Sequence, residues 1–78
     1  MGVYIMLFKD RLKALREDND LTQQELADIL NLARSTIASY ETSSKEPSIA
    51  TLIKIADYFD VTLDYLLCRT FSKTIKRK

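Results

Sequence analysis

Histidine is absent from these 78 residues, and cysteine, glycine and proline occur once each. Each scarcity removes a class of function. Without histidine, the chain lacks the side chain that titrates near neutrality and the commonest metal ligand. A lone cysteine, Cys68, excludes an internal disulfide and a cysteine zinc cluster. It reads as a small apolar residue, buried or half-buried. A single glycine, Gly2, leaves no glycine-rich loop to cradle a phosphate. With Pro47 as the only proline, the chain favours helices with few special turns; a sheet of this length would need more turn glycine. No stretch approaches the ~18 apolar residues of a membrane span. The apolar start MGVYIMLF has neither a basic lead nor a small-residue cleavage site, so it makes a poor signal peptide and a cytoplasmic location is expected. The paired carboxylates Glu17, Asp18 and Asp20 lie in a polar turn and read as solvated surface. No metal, cofactor or small-molecule ligand is expected, and a stand-alone enzyme is the weakest of the functional readings.

What is present is the balance of a soluble globular chain, 46% apolar and 29% charged, with room for one small domain and a modest core. Its apolar periodicity predicts five helices. Over residues 8–18, Phe8, Leu12 and Leu15 form a stripe with Lys9, Arg11, Lys13 and Arg16 around it. Thr22 starts a second helix, and Glu25 three residues later makes a capping box. Leu26, Ile29 and Leu30 give that helix its core face, and Ala27 lets another helix approach closely. Asn31 breaks the pattern, because asparagine tolerates the left-handed conformation, and Leu32 plugs the turn. A third helix runs from about Arg34 to about Thr42, with Ala33, Ile37 and Tyr40 inward and Arg34, Ser35, Ala38 and Ser39 outward. After a loop over residues 43–47, Ser48 caps a fourth helix whose stripe is Leu52, Ile53, Ile55, Ala56 and Phe59. Thr62 caps a last short helix with Leu63, Leu66 and Leu67 turned to the core.

Residues 22–41, TQQELADILNLARSTIASYE, therefore read as two short helices joined by a three-residue turn, the second showing small polar side chains on one face. That is the layout of a helix-turn-helix, whose second helix reads the DNA major groove. Over residues 8–67 the chain resembles the phage-repressor-like helix-turn-helix proteins, the XRE or Cro family. The matching stretches are LTQQELADILNLARSTIASYE, EPSIATLIKIADYFDV and TLDYLL. The resemblance implies an all-α fold: a compact five-helix lambda-repressor-like DNA-binding domain with the motif in helices 2 and 3. The domain would occupy residues 1–68, followed by a basic tail over 69–78. It implies that helix 3 enters the major groove of double-stranded DNA, in a homodimer on a two-fold operator.

Carried over by position, the base-reading residues are Arg34, Ser35 and Ser39. Arginine can donate two hydrogen bonds to guanine, and a serine hydroxyl suits several base edges. The resemblance places Gln23, Thr36, Ser43, Ser44 and Lys45 at backbone-contacting positions, which set register without reading sequence. Plainer readings stand beside these. Arg34 also suits a solvated surface, Gln23 a helix former in a first turn, and Tyr40 a core position with its hydroxyl reaching the surface. Two residues depart from the family pattern. Asn31 stands where glycine is frequent, at small cost. Ala33 stands where serine or threonine commonly caps helix 3; alanine supplies no capping oxygen, at about 0.5–2 kcal/mol of local stability. The first N–H groups of that helix are then left for a phosphate.

Charge is unevenly spread. Residues 1–67 hold seven Lys and Arg against eleven Asp and Glu, a net −4, whereas residues 68–78 hold five cations and no acid. Those five, Arg69, Lys73, Lys76, Arg77 and Lys78, read either as a solubilising tail or as an arm that neutralises phosphates. Phe71 and Ile75 offer a third reading, packing on the apolar N-terminus or on a partner subunit, where Tyr4, Ile5 and Leu7 would join them. The leading expectation is a sequence-specific repressor acting as a dimer. The alternative is an interaction module on the same fold, an antitoxin bound to a toxin or an adaptor.

Overall fold

The computed structural model describes residues 7–69. Among them are five helices and no strand: α1 (Phe8–Asp18), α2 (Gln23–Leu30), α3 (Arg34–Glu41), α4 (Ile49–Phe59) and α5 (Leu63–Leu66). The helix order and boundaries match the periodicity. Tyr4, Ile5, Phe71, Ile75, Lys73, Lys76, Arg77 and Lys78 lie outside the described residues.

Three of the expected caps form. Thr22 Oγ1 accepts from the Glu25 N–H at 3.0 Å, and Glu25 accepts from the Thr22 N–H at 2.8 Å, closing the box at the start of α2. Ser48 and Thr62 accept from the N–H of Thr51 and Tyr65 at the starts of α4 and α5. At the start of α1, Asp10 accepts from the Leu7 N–H at 3.2 Å.

The helix ends are less ordinary. Scarce glycine had pointed to few special turns. Instead, just past each of the five helices stands a residue with positive φ, and none is glycine: Asp20, Asn31, Ser43, Asp60 and Cys68. In each case the next residue's N–H donates back across the last turn, at 2.7 to 3.0 Å, for example Leu32 to Ala27 O and Val61 to Ala56 O. This is the Schellman closure, which satisfies carbonyls that a helix end leaves open. After Asp20, Asn31 and Asp60 the next residue is Leu21, Leu32 or Val61, and each packs on the core. That apolar contact helps to hold the left-handed residue in place. Asp and Asn tolerate the geometry best. Ser43 and Cys68 carry more of its cost, ~1–2 kcal/mol for an L-residue.

The core is built from Leu12, Leu26, Ile37, Ile55 and Leu66, all fully buried, with Leu15, Ala27, Leu30, Tyr40 and Ala56 around them. Each fully buried aliphatic side chain contributes ~1.5–3 kcal/mol of hydrophobic stabilisation. Helix α3 packs against α2 and α1, and α5 packs against α4 and α1. Ala27 is completely buried, as a close helix approach requires.

Several inward assignments need correcting. Ile29, Ile53, Leu63 and Leu67 are 38–44% exposed, and Ala33 is also exposed. A helix of four residues cannot cover both flanks of its own stripe, so Leu66 is buried while Leu63 and Leu67 are not. The reverse holds for Arg11 and Arg16: the periodicity sets both among the charges around the apolar stripe of α1, and both are buried. Burial is tolerated because their guanidinium groups find acceptors. Arg11 donates to the Tyr65 carbonyl at 2.8 Å and stacks 3.7 Å from the Tyr65 ring centroid, tying α1 to α5.

Candidate nucleic-acid interface

Three segments build the outward face of the motif: the start of α2, the length of α3, and the loop after α3. Their mutual placement follows from the turn between the helices. Asn31, at φ 59° and ψ 46°, reverses the chain after Leu30, and Leu32 packs its side chain on the core. Helix α3 then begins at Arg34 and presents Ile37 and Tyr40 inward.

Arg34 and Ser35 are exposed at the first turn of α3, and Ser39, one turn beyond Ser35, is half-buried. Residues 35 and 39 share a face by helical geometry. Thr36 is half-buried beside them. Ala33 occupies the N-cap position with no side-chain hydrogen bond to the helix, as its methyl group dictates. The cationic Arg34 and the uncapped N–H groups of the first turn therefore lie together at this end of α3.

The loop after α3 is ordered by hydroxyl groups. Thr42 Oγ1 donates to the Ser39 carbonyl at 3.2 Å and lies 3.0 Å from Ser44 Oγ. The Ser44 N–H also donates to the Ser39 carbonyl, at 3.0 Å. Ser43, Ser44 and Lys45 are all exposed there. Arg69, the one tail cation among the described residues, is exposed, with its Nε 3.9 Å from Asp64.

At its C-terminal end α3 is clamped by a residue that the sequence did not single out. The Glu41 carboxylate accepts from Arg16 Nε at 2.7 Å and from Arg16 Nη2 at 3.1 Å, a bidentate pair in which the Glu41 side chain is only 4% exposed. Arg16 Nη1 donates to the Leu21 carbonyl at 2.7 Å, so the same side chain also fixes the α1–α2 turn. The hydrogen bonds to Glu41 raise the arginine pKa further above its usual value, against the opposing effect of burial. One sequence signal was available. Arg16 follows Leu12 by four positions and Glu41 follows Ile37 by four, so two core stripes each run into a charge of opposite sign.

Gln23, assigned to the DNA backbone, is half-buried and already engaged. Its Nε2 donates to Glu41 Oε1 at 3.2 Å, and its Oε1 accepts from Arg34 Nη1 at 3.3 Å. The structure thus brings Gln23 and Arg34 together from α2 and α3, and joins both to the buried ion pair.

Comparison with known proteins agrees with this architecture. Residues 12–66 match the family model described as helix-turn-helix. The chain is 46% identical over 61 residues to the uncharacterized HTH-type transcriptional regulator YqaE of Bacillus subtilis, covering 78% of this chain and 53% of that protein. The chain thus spans about half the length of the curated relatives it matches. Among solved structures, the P22 c2 repressor in complex with a synthetic operator superposes with a TM-score of 0.75 at 26% identity, covering 80% of this chain and 94% of that one. SinR in complex with DNA superposes with a TM-score of 0.71 at 31% identity, covering 78% of this chain and 98% of that one. With its five helices in order, its capped α2 and its left-handed turn at Asn31, this chain belongs to the helix-turn-helix family in its phage-repressor-like, XRE form.

Proposed function

We propose that this chain binds double-stranded DNA sequence-specifically as part of a transcriptional regulator, a cytoplasmic repressor acting as a homodimer on a two-fold operator. The observation that carries the reading is the outward end of α3, where exposed Arg34 and Ser35 stand beside an uncapped helix start. Arg34, Ser35 and Ser39 read base edges in the major groove, Arg34 by two N–H donors to one guanine. Thr36, Ser43, Ser44, Lys45 and the second amide hydrogen of Gln23 face phosphates and fix the register. The work done is binding, with no chemical step. That P22 c2 and SinR are each seen on DNA supports the reading for this chain.

Phosphate affinity has to come from few cations, because residues 1–67 carry a net −4. The tail cations Arg69, Lys73, Lys76, Arg77 and Lys78 are assigned to that task. Removing residues 69–78 then flattens the salt dependence of binding, by about 0.9 in log–log slope for each phosphate given up. An unchanged slope removes the tail from the interface.

The homodimer reading draws on the apolar side chains left exposed on α4 and α5, Ile49 at 74%, Ile53 at 44% and Leu63 at 38%. Contiguous exposed apolar surface on a small domain marks an interaction site. The same surface also supports the second reading, a docking face for a protein such as a toxin. Selection from a random DNA pool separates the two. Enrichment of a palindrome with half-sites about one helical turn apart supports the regulator; no enrichment supports the protein-interaction module.

A further inference from the structure

We propose that the basic segment after α5, residues 70–78, docks in cis in the groove between α4 and α5, and that DNA phosphates compete with this groove for the same cations. The segment lies outside the described residues; the groove, and Arg69 that leads into it, lie within them. Only the competition rests on the DNA-binding reading; the docking stands apart from it.

The groove has a volume of about 380 Å³ and a mixed lining. Ile53 and Ala56 of α4, with Val61 and Leu63 from the turn and the start of α5, form its apolar part. Ile53 and Leu63 leave it open to water, at 44% and 38% exposure. Two exposed carboxylates, Asp57 and Asp64, stand on its walls, and none of its described lining residues is cationic. Such a surface calls for an occupant that is apolar and cationic at once. The segment TFSKTIKRK has that composition: Phe71 and Ile75 are large and apolar, Lys73, Lys76, Arg77 and Lys78 are cations, and there is no acid.

The point of departure fits as well. The Arg69 N–H donates to the Asp64 carbonyl at 2.7 Å, and Arg69 Nε lies 3.9 Å from Asp64 Oδ1. The chain thus leaves α5 folded back against one wall of the groove. An extended chain spans about 7 Å in two residues and about 20 Å in six, so Phe71 and Ile75 both reach the lining. A cavity of ~150 Å³ accommodates a benzene ring, so the Phe71 ring fits with room to spare. A second copy is the weaker occupant. A two-fold pairing of this groove with itself sets Asp57 and Asp64 of both copies face to face, and like charges across an interface are costly. Ile49, 74% exposed and outside the lining, stays available to a partner. A lysine held by Asp57 or Asp64 is not free for a phosphate, so docking and DNA engagement exclude each other. By linkage, each weakens the other by the same factor.

The test uses the full chain in solution, as wild type, Phe71→Ser and the double variant Asp57→Asn with Asp64→Asn. All three positions are on the surface or in the tail, and melting temperatures confirm that each variant folds. NMR measures contacts between the Phe71 ring and the methyl groups of Ile53 and Leu63, and the backbone relaxation of residues 70–78, before and after a DNA duplex is added. Mixed labelled and unlabelled copies separate contacts within one chain from contacts between chains. The expected result is Phe71 contacts to Ile53 and Leu63 within one chain. Phe71→Ser should lower the docked-to-free ratio by ~10-fold or more, as the loss of a buried aromatic ring requires. The double carboxylate variant should lower it by ~2–10-fold, the range of two exposed ion pairs. The duplex should abolish the contacts in wild type. Tail relaxation typical of a free chain, with no Phe71 contact, would overturn the docking. Contacts found only between chains would overturn the cis arrangement and give the groove to a second copy. Contacts that persist when the duplex is bound would overturn the competition. If no duplex binds, the DNA-binding reading and the competition fail together, while the contacts in free protein still decide the docking.

Discussion

Helices α2 and α3 have the same length, eight residues, and pack against each other, yet they are secured at opposite ends. The start of α2 is closed by the reciprocal Thr22–Glu25 box. The start of α3 has no side-chain cap, and its hold comes from the last residue, Glu41, through the bidentate pair with Arg16. The difference separates stability from exposure within one motif. The end of α3 that turns away from Arg34 carries the structural fastening. The end that presents Arg34 and Ser35 keeps its N–H groups unclaimed by any cap. A helix fastened at its far end can offer its near end to a partner without losing its place in the core.

Breaking the α3 clamp has the largest expected effect. Glu41→Ala leaves Arg16 buried without its carboxylate, and removing one member of a buried pair costs about 3–5 kcal/mol. Chemical denaturation should show the midpoint falling accordingly, whereas Asp64→Ala, which removes the exposed partner of Arg69, should move it by less than about 1 kcal/mol. Equal effects at the two sites would mean that the clamp contributes no more than a surface pair.

The next effects are smaller, of opposite sign, and compare the two helix starts directly. Thr22→Ala opens the α2 box and should cost about 0.5–2 kcal/mol. Ala33→Ser supplies the missing oxygen at α3 and should gain a similar amount, about 0.5–2 kcal/mol, seen as a higher melting temperature. A melting temperature unchanged or lowered by Ala33→Ser would mean that the start of α3 is already satisfied. A loss of DNA affinity in the same variant would show that the uncapped N–H groups serve the phosphate.

The smallest effect concerns α1. The Asp10 carboxyl is held below its usual pKa, first by the hydrogen bond from Lys9 and then by the Leu7 N–H. A carboxylate whose folded pKa lies below its unfolded one stabilises above the unfolded value and loses that contribution as pH falls through the folded value. The stability of wild type relative to Asp10→Asn should therefore be level above about pH 5, clear of the unfolded carboxylate value, and decline as the pH falls below that value toward the lowered folded one. A difference that is flat across this range would remove Asp10 from the acid limb. Asp10 and its partner Lys9 both keep part of their side chains in solvent, so the change should be slight.

Local chemistry was legible in the sequence where it acts within a few residues. The Thr22, Ser48 and Thr62 caps each depend on an N–H three positions ahead, and Asn31 ends its helix through its own backbone preference. Burial was less legible, because a helical stripe gives the direction of a side chain and not the reach of its neighbours. Ile53 points along the stripe of α4 but has too little of α5 to cover it. The clamp was hidden for a different reason. Arg16 and Glu41 are separated by 25 positions, and a charge beside a core stripe reads as a solvated rim until its partner is placed. At the candidate interface, Arg34 and Ser35 stand exposed where the motif put them. The engagement of Gln23 by Glu41 and Arg34 depends on tertiary packing and could not be read from spacing.

The central claim is that the exposed end of α3 reads DNA through Arg34. Selection from a random duplex pool with wild type and Arg34→Ala, followed by affinity measurement on the enriched site and its single-base-pair variants, tests it most directly. Wild type should enrich one palindrome, and Arg34→Ala should lose about 1–3 kcal/mol of discrimination at one symmetry-related base pair in each half-site while keeping its preferences elsewhere. Enrichment of the same palindrome by both proteins, with equal discrimination at every position, would contradict it.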